Sequence, residues 1–156
     1  MPLPWSTELA GRIEEHVISS DLLRGNPLGD PYERPLLVYT PPGYDDAPDR
    51  RYPSVYVIQG YTGHVAMWRG RSPFRQPFPE TADAMFARAE APPAIVAYVD
   101  AWTAYCGSQF VDSPGTGTTT PTCATKWSLG WTPGTGRSPM RHTGRSRASR
   151  AAASAR

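Results

Sequence analysis

Cysteine is nearly missing from this chain, with only Cys106 and Cys123 among 156 residues. The two show neither the spacing of metal ligands nor a disulfide framework, so no chemistry is assigned to them and a reduced compartment accounts for both. Long hydrophobic runs are missing as well. No stretch approaches the roughly 18 apolar residues of a membrane span. The opening residues, MPLPWSTELAGRIEEH, place no apolar core behind basic ones, so no secretory signal is read. The expectation is a soluble, cytoplasmic protein. Acidic residues are the third absence. Up to Gly117 the chain carries 9 basic and 14 acidic side chains, whereas beyond it stand 7 basic ones and no acid. The net charge of +2 hides this split, and two unlike polymers join near Gly117.

What is present suits one domain or part of one. A hydrophobic share of 39% and a charged share of 19% fit a globular protein, while 18 prolines and 14 glycines point to long loops or an unfolded piece. Residues 1–117 read as alternating strands and helices. The runs 36–40, 54–58 and 94–99 are dense in Val, Ile, Leu and Tyr and are bounded by Pro and Gly, as buried strands are. A weaker strand candidate covers 16–23. Between the second and third runs, Pro79 stands in a first turn, and Ala82, Met85, Phe86 and Ala89 recur at helical spacing until Pro92 and Pro93 end the segment. Strand, loop, helix and strand in that order make the crossover unit of a parallel sheet. Pro41-Pro42-Gly43-Tyr44 and the polar stretch 45–51 leave no room for a helix, so the runs 36–40 and 54–58 are expected to be antiparallel neighbours. From Thr118 onward Thr, Pro, Gly, Ser, Arg and Ala dominate, and too little apolar surface is present to offset the ordering entropy.

The segment richest in chemistry is Ser54-Val-Tyr-Val-Ile-Gln-Gly-Tyr-Thr-Gly63, a strand running into a glycine-bracketed turn. Such a turn can expose backbone N–H groups, and exposed N–H groups stabilise a developing oxyanion. By itself the segment reads first as a strand ending in an ordinary turn. Its neighbours add to it. Leu37-Val-Tyr-Thr-Pro-Pro-Gly-Tyr44, followed by Arg51-Tyr-Pro-Ser-Val-Tyr-Val-Ile-Gln-Gly-Tyr-Thr-Gly63, resembles a serine esterase family of the α/β-hydrolase superfamily. That family includes enterochelin esterase-like enzymes, S-formylglutathione hydrolases and mycolyl transferases. The stretch 99–117, from Val-Asp-Ala-Trp-Thr to Ser-Pro-Gly-Thr-Gly, resembles the loop after the next strand in the same family. The likeness covers about residues 14–117.

The resemblance implies an α/β fold, the N-terminal part of a three-layer sandwich with an incomplete sheet. It also implies ester hydrolysis or acyl transfer through an acyl-serine, with no cofactor and no metal, on a small-molecule ester. The backbone N–H of Tyr61 would be one oxyanion-hole donor. Gln59 stands where the family more often has His. Trp102, Tyr105 and Gln109 would lie on a loop near the pocket mouth and shape the acyl or alcohol site, or simply pack there. His64 lies beside the turn, but the family's triad histidine falls near the far C-terminus, so His64 reads as a loop residue. His16 and His142 show no acidic partner at useful spacing. Asp100 and Asp112 precede the place where the nucleophile belongs, whereas the chain order of such triads is Ser, Asp or Glu, then His. No G-x-S-x-G elbow occurs in the chain.

Residues 118–156 look like a reading-frame error. Read from the third base of each codon, Thr120 to Pro133 permits T-Y-L-C-D-E-V-V-P-W-V-D-A. His142 to Arg156 similarly permits H-R-A-I-A-G-K-S-S-G-G-F-G-A, although its elbow serine codon also admits proline. Trp131-Thr132 leaves no freedom and gives Asp, as the family pattern has it. A single-base insertion or deletion near 116–118 accounts for this. The expectation is therefore an esterase half-domain, 1–117, with one sheet edge left unpaired, and a basic, disordered, out-of-frame tail, 118–156. Such a chain lacks its catalytic Ser, Asp and His and is inactive. The alternative is a small non-catalytic binding module whose Arg-rich tail contacts nucleic acid or another acidic surface.

Overall fold

In a computed structural model of the chain, residues 7–107 and 110 are described. They form a four-stranded mixed sheet of β1 (Arg12–Ser19), β2 (Glu33–Thr40), β3 (Ser54–Val57) and β4 (Ile95–Val99), in the spatial order β1-β2-β4-β3. β1 pairs antiparallel with β2, β2 antiparallel with β4, and β3 parallel with β4. A helix, α1 (Phe78–Ala87), lies between β3 and β4 in sequence, preceded by a short 3-10 helix, Val65–Arg69. Two short strands, β5 (Trp102–Thr103) and β6 (Cys106–Gly107), pair as a hairpin after β4.

The expected crossover from strand through helix to parallel strand is present. Pro77 caps α1 and Pro79 sits in its first turn, where a missing N–H costs nothing. The helix ends at Ala87, and Ala89 adopts a positive φ of 55° just beyond it. The expected hairpin between 36–40 and 54–58 is absent: β4 lies between β2 and β3. Burial explains the order. All five residues of β4 are buried, which requires strands on both sides and cover on both faces, whereas β3 is mostly exposed and takes the edge. Residues 41–53 supply enough chain to step over one strand, a distance of two strand spacings or about 10 Å. The first strand also differs in extent, running from Arg12 to Ser19 instead of over 16–23, with a 3-10 turn at Asp21–Leu23.

Alternation along β2 and β4 divides the core in two. Leu36, Val38, Ile95, Ala97 and Val99 point to one face with Tyr52, and Tyr44 and Phe110 pack against them. Leu37, Tyr39, Val96 and Tyr98 point to the other with Val65, against Trp68 and Phe86. Helical elements therefore cover one face, and among the described residues loop aromatics cover the opposite one. β3 was expected to be as buried as its neighbours, yet Val55 and Tyr56 are 46% and 41% exposed. Among the described residues its outer edge pairs with no strand. No helix among them is long and apolar enough to cross a membrane.

Candidate functional site

The end of β3 and the end of β4 lie side by side because the two strands are parallel, with Val57 opposite Tyr98. Open α/β sheets bind ligands at this carboxyl end. Beyond Val57 the chain enters the turn 59–63, closed by a hydrogen bond from Gly63 N–H to the Gly60 carbonyl at 3.0 Å. Gln59 is buried. With its amide oriented to satisfy both ends, it donates to the Val99 carbonyl at 2.6 Å and accepts from Ala101 N–H at 2.9 Å. Tyr61 is half-exposed, and its carbonyl accepts from Gly107 N–H at 2.6 Å. Among the described residues the Tyr61 N–H donates to no acceptor.

His64 starts the 3-10 helix, its Nδ1 accepting from Ala66 N–H at 3.3 Å. Its ring meets Trp102 edge-on at 5.6 Å. It acts as a cap and a wall, in keeping with its reading as a loop residue. Trp102 and Tyr105 belong to the β5–β6 hairpin and not to an open loop. Trp102 is in β5, and Tyr105 is exposed at the turn, its N–H donating to Thr103 Oγ1 at 3.2 Å. A cleft of about 690 Å³ is lined by Asp30, Glu33, Arg34, His64, Asp100 and Trp102, among others. Tyr61 and Tyr105 are not on its wall. Gln109, Asp112, Cys123, His142 and the whole stretch 118–156 lie outside the described residues. Cys106 is a free, exposed thiol.

Asp100 is not a spare carboxylate. It is buried and pairs with buried Arg34 at 3.4 Å, and Arg34 Nη1 also donates to the Trp102 carbonyl at 2.5 Å. His16, expected to lack an acidic partner, has one: Glu14 Oε2 lies 3.0 Å from its Nε2. Residues two apart on a strand share a face, a spacing that a search for triads does not favour. Sequence reasoning missed the partners of Gln59 and the approach of Gly107, because 40 or more positions separate the groups that meet. Among the described residues no three His, Cys, Asp or Glu side chains gather to hold a metal.

No family model matches the chain, and no curated protein matches it. Solved structures do. A ferulic acid esterase superposes with a TM-score of 0.59 at 17% identity, over 77% of this chain and 42% of that one. The feruloyl esterase module of Clostridium thermocellum, a serine-to-alanine mutant complexed with sinapinate, gives 0.49 at 22% identity, over 70% of this chain and 32% of that one. A ferulic acid esterase of Anaeromyces mucronatus in complex with ferulic acid gives 0.45 at 16% identity, over 72% and 36%. The likeness at 0.59 shows a shared fold, and the chain spans less than half of each of these structures.

Proposed function

We propose that the chain is the N-terminal half of a serine carboxylic ester hydrolase, with the Tyr61 N–H as one donor of its oxyanion hole. The observation that carries this reading is the turn 59–63 at the carboxyl end of β3, with an N–H that no described acceptor takes, in a sheet of the ferulic acid esterase fold. An N–H left unpaired at such a turn is what a developing oxyanion needs. Trp102 supplies an apolar wall for an acyl or alcohol group, Tyr105 and Gln109 belong to the same substrate-facing stretch, and the substrate is a small-molecule ester. The unpaired edge of β3 is where the strand carrying the nucleophile would add. The protein is cytoplasmic and its chemistry uses no cofactor or metal.

In the same proposal, residues 118–156 are read out of frame, so the 156-residue chain is without its Ser, Asp and His and is inactive. Purified, it should not turn over p-nitrophenyl acetate, p-nitrophenyl butyrate or methyl ferulate above the rate of spontaneous hydrolysis in buffer. It should also not label with a fluorophosphonate. Removal of triad members costs on the order of a millionfold in turnover. Restoring one base near codon 117 and extending through the downstream frame should bring both activities, and both should vanish when the elbow serine becomes alanine. Labelling of the unrepaired chain, or a well-folded repaired chain that stays inert, would sink the proposal.

A further inference from the structure

We infer that Gln59 and Gly107 are positioning residues that grip the turn 59–63 from two sides and hold the Tyr61 N–H in a fixed direction. The inference rests on the esterase reading for what that N–H does. In a parallel ladder every second residue donates its N–H to the carbonyl before its partner and accepts from the N–H after it. The backbone ladder between β3 and β4 stops at Val57 and Tyr98. Two residues later the side-chain amide of Gln59 makes the same pair of bonds, to Val99 O at 2.6 Å and from Ala101 N–H at 2.9 Å, on either side of Asp100. A primary amide carries a donor and an acceptor side by side, as a peptide unit does. The side chain thus adds one rung after the main chain has left the sheet, and the Gln59 backbone is free to turn.

The second grip comes from β6. Gly107 N–H donates to the Tyr61 carbonyl at 2.6 Å. A Cβ on Gly107 would stand 2.6 Å from the Tyr61 carbonyl oxygen and 2.9 Å from that of Gly60, and both are backbone atoms with little room to give. Only glycine lets β6 come this close. A Cβ on Gly63 would likewise press on Gln59 Cβ at 3.0 Å. With Gln59 buried and the Tyr61 carbonyl tied, the peptide units around Tyr61 have two fixed points, and its N–H is the group left over. Donors fixed in advance need no reorganisation when charge develops, which is the source of their effect on turnover.

Backbone amide exchange on the 156-residue chain tests the grip directly. Gln59→Met keeps the volume and removes both bonds. Exchange at Ala101, Gly63 and Gly107 should then speed up by about tenfold, the factor that loss of one net hydrogen bond gives. The amides of β1 and β2 should keep their rates. Gly107→Ala should speed Gly63 in the same way. If Gly63 and Gly107 keep their rates in Gln59→Met, or if β1 and β2 accelerate equally, the positioning role is overturned. In the frame-restored chain, Gln59→Met should lower kcat by about tenfold with KM unchanged, the signature of an interaction made in the transition state. A raised KM with unchanged kcat overturns the role and leaves the esterase reading standing. A folded but inert restored chain removes the esterase reading, and the role with it.

Discussion

The Tyr39 hydroxyl donates to Asp83 Oδ1 at 2.8 Å and so ties the middle sheet strand β2 to α1. Asp83 also accepts from Gly11 N–H at 2.7 Å and from Ala10 N–H at 3.0 Å, and it is buried. One carboxylate therefore joins three segments distant in sequence. Asp83→Asn keeps the shape but points an NH2 at backbone donors, and should cost about 2 kcal/mol in denaturant unfolding. Tyr39→Phe should cost less, because the carboxylate keeps its two backbone donors. Gly11→Ala should be as damaging as Asp83→Asn, since its Cβ would meet the Thr40 carbonyl and come within 2.6 Å of the Tyr39 hydroxyl.

Arg34 and Asp100 give a second prediction. Both are buried beside the cleft, so Arg34→Met leaves a carboxylate without its counter-charge and should destabilise by about 3 kcal/mol. Adding Asp100→Leu should recover most of that loss, because the pair as a whole gives back little beyond its desolvation cost. A double variant no more stable than Arg34→Met would show that the Arg34 bond to the Trp102 carbonyl carries the effect.

Alkaline pH should weaken the fold. Burial and the Asp83 bond raise the Tyr39 pKa, and burial alone raises that of Tyr98. The folded state therefore holds these protons more tightly than the unfolded chain, whose tyrosines titrate at about pH 10. The sign follows: the contribution is intact below about pH 10 and is lost as pH rises beyond it. Phenolate absorbance followed with circular dichroism should show these two ionising only as the fold opens. Among the described residues the Tyr98 hydroxyl meets no hydrogen-bond partner, so Tyr98→Phe should be neutral or stabilising by about 1 kcal/mol.

The outer edge of β3 should drive self-association. Val55 and Tyr56 are exposed there, and Ile58 follows at 53% exposure. Val55→Lys should lower concentration-dependent light scattering while leaving the circular dichroism unchanged, because a charge on an edge strand blocks strand addition. Scattering that is unaffected would place the sticky surface elsewhere.

Local order was open to reading from the chain itself. The Val-Ile-Tyr runs, the prolines around α1 and the glycines of 59–63 act through neighbours a few positions away, so β2, β3, α1, β4 and the turn were all legible. The paired prolines and polar stretch after β2 were misleading, since a turn signal says that the chain reverses but not which strand it rejoins. That choice was made by burial. β4, apolar throughout, stabilises the sheet most between two partners, and β3 was left at the edge. The same holds at the site. Sequence alone marked Gly60 and Tyr61 as a turn able to present an N–H. Only tertiary structure brought Gln59 to Val99 and Ala101, Gly107 to Tyr61, and Arg34 to Asp100, because those contacts depend on strand order and on the packing of the β5–β6 hairpin, not on any spacing along the chain.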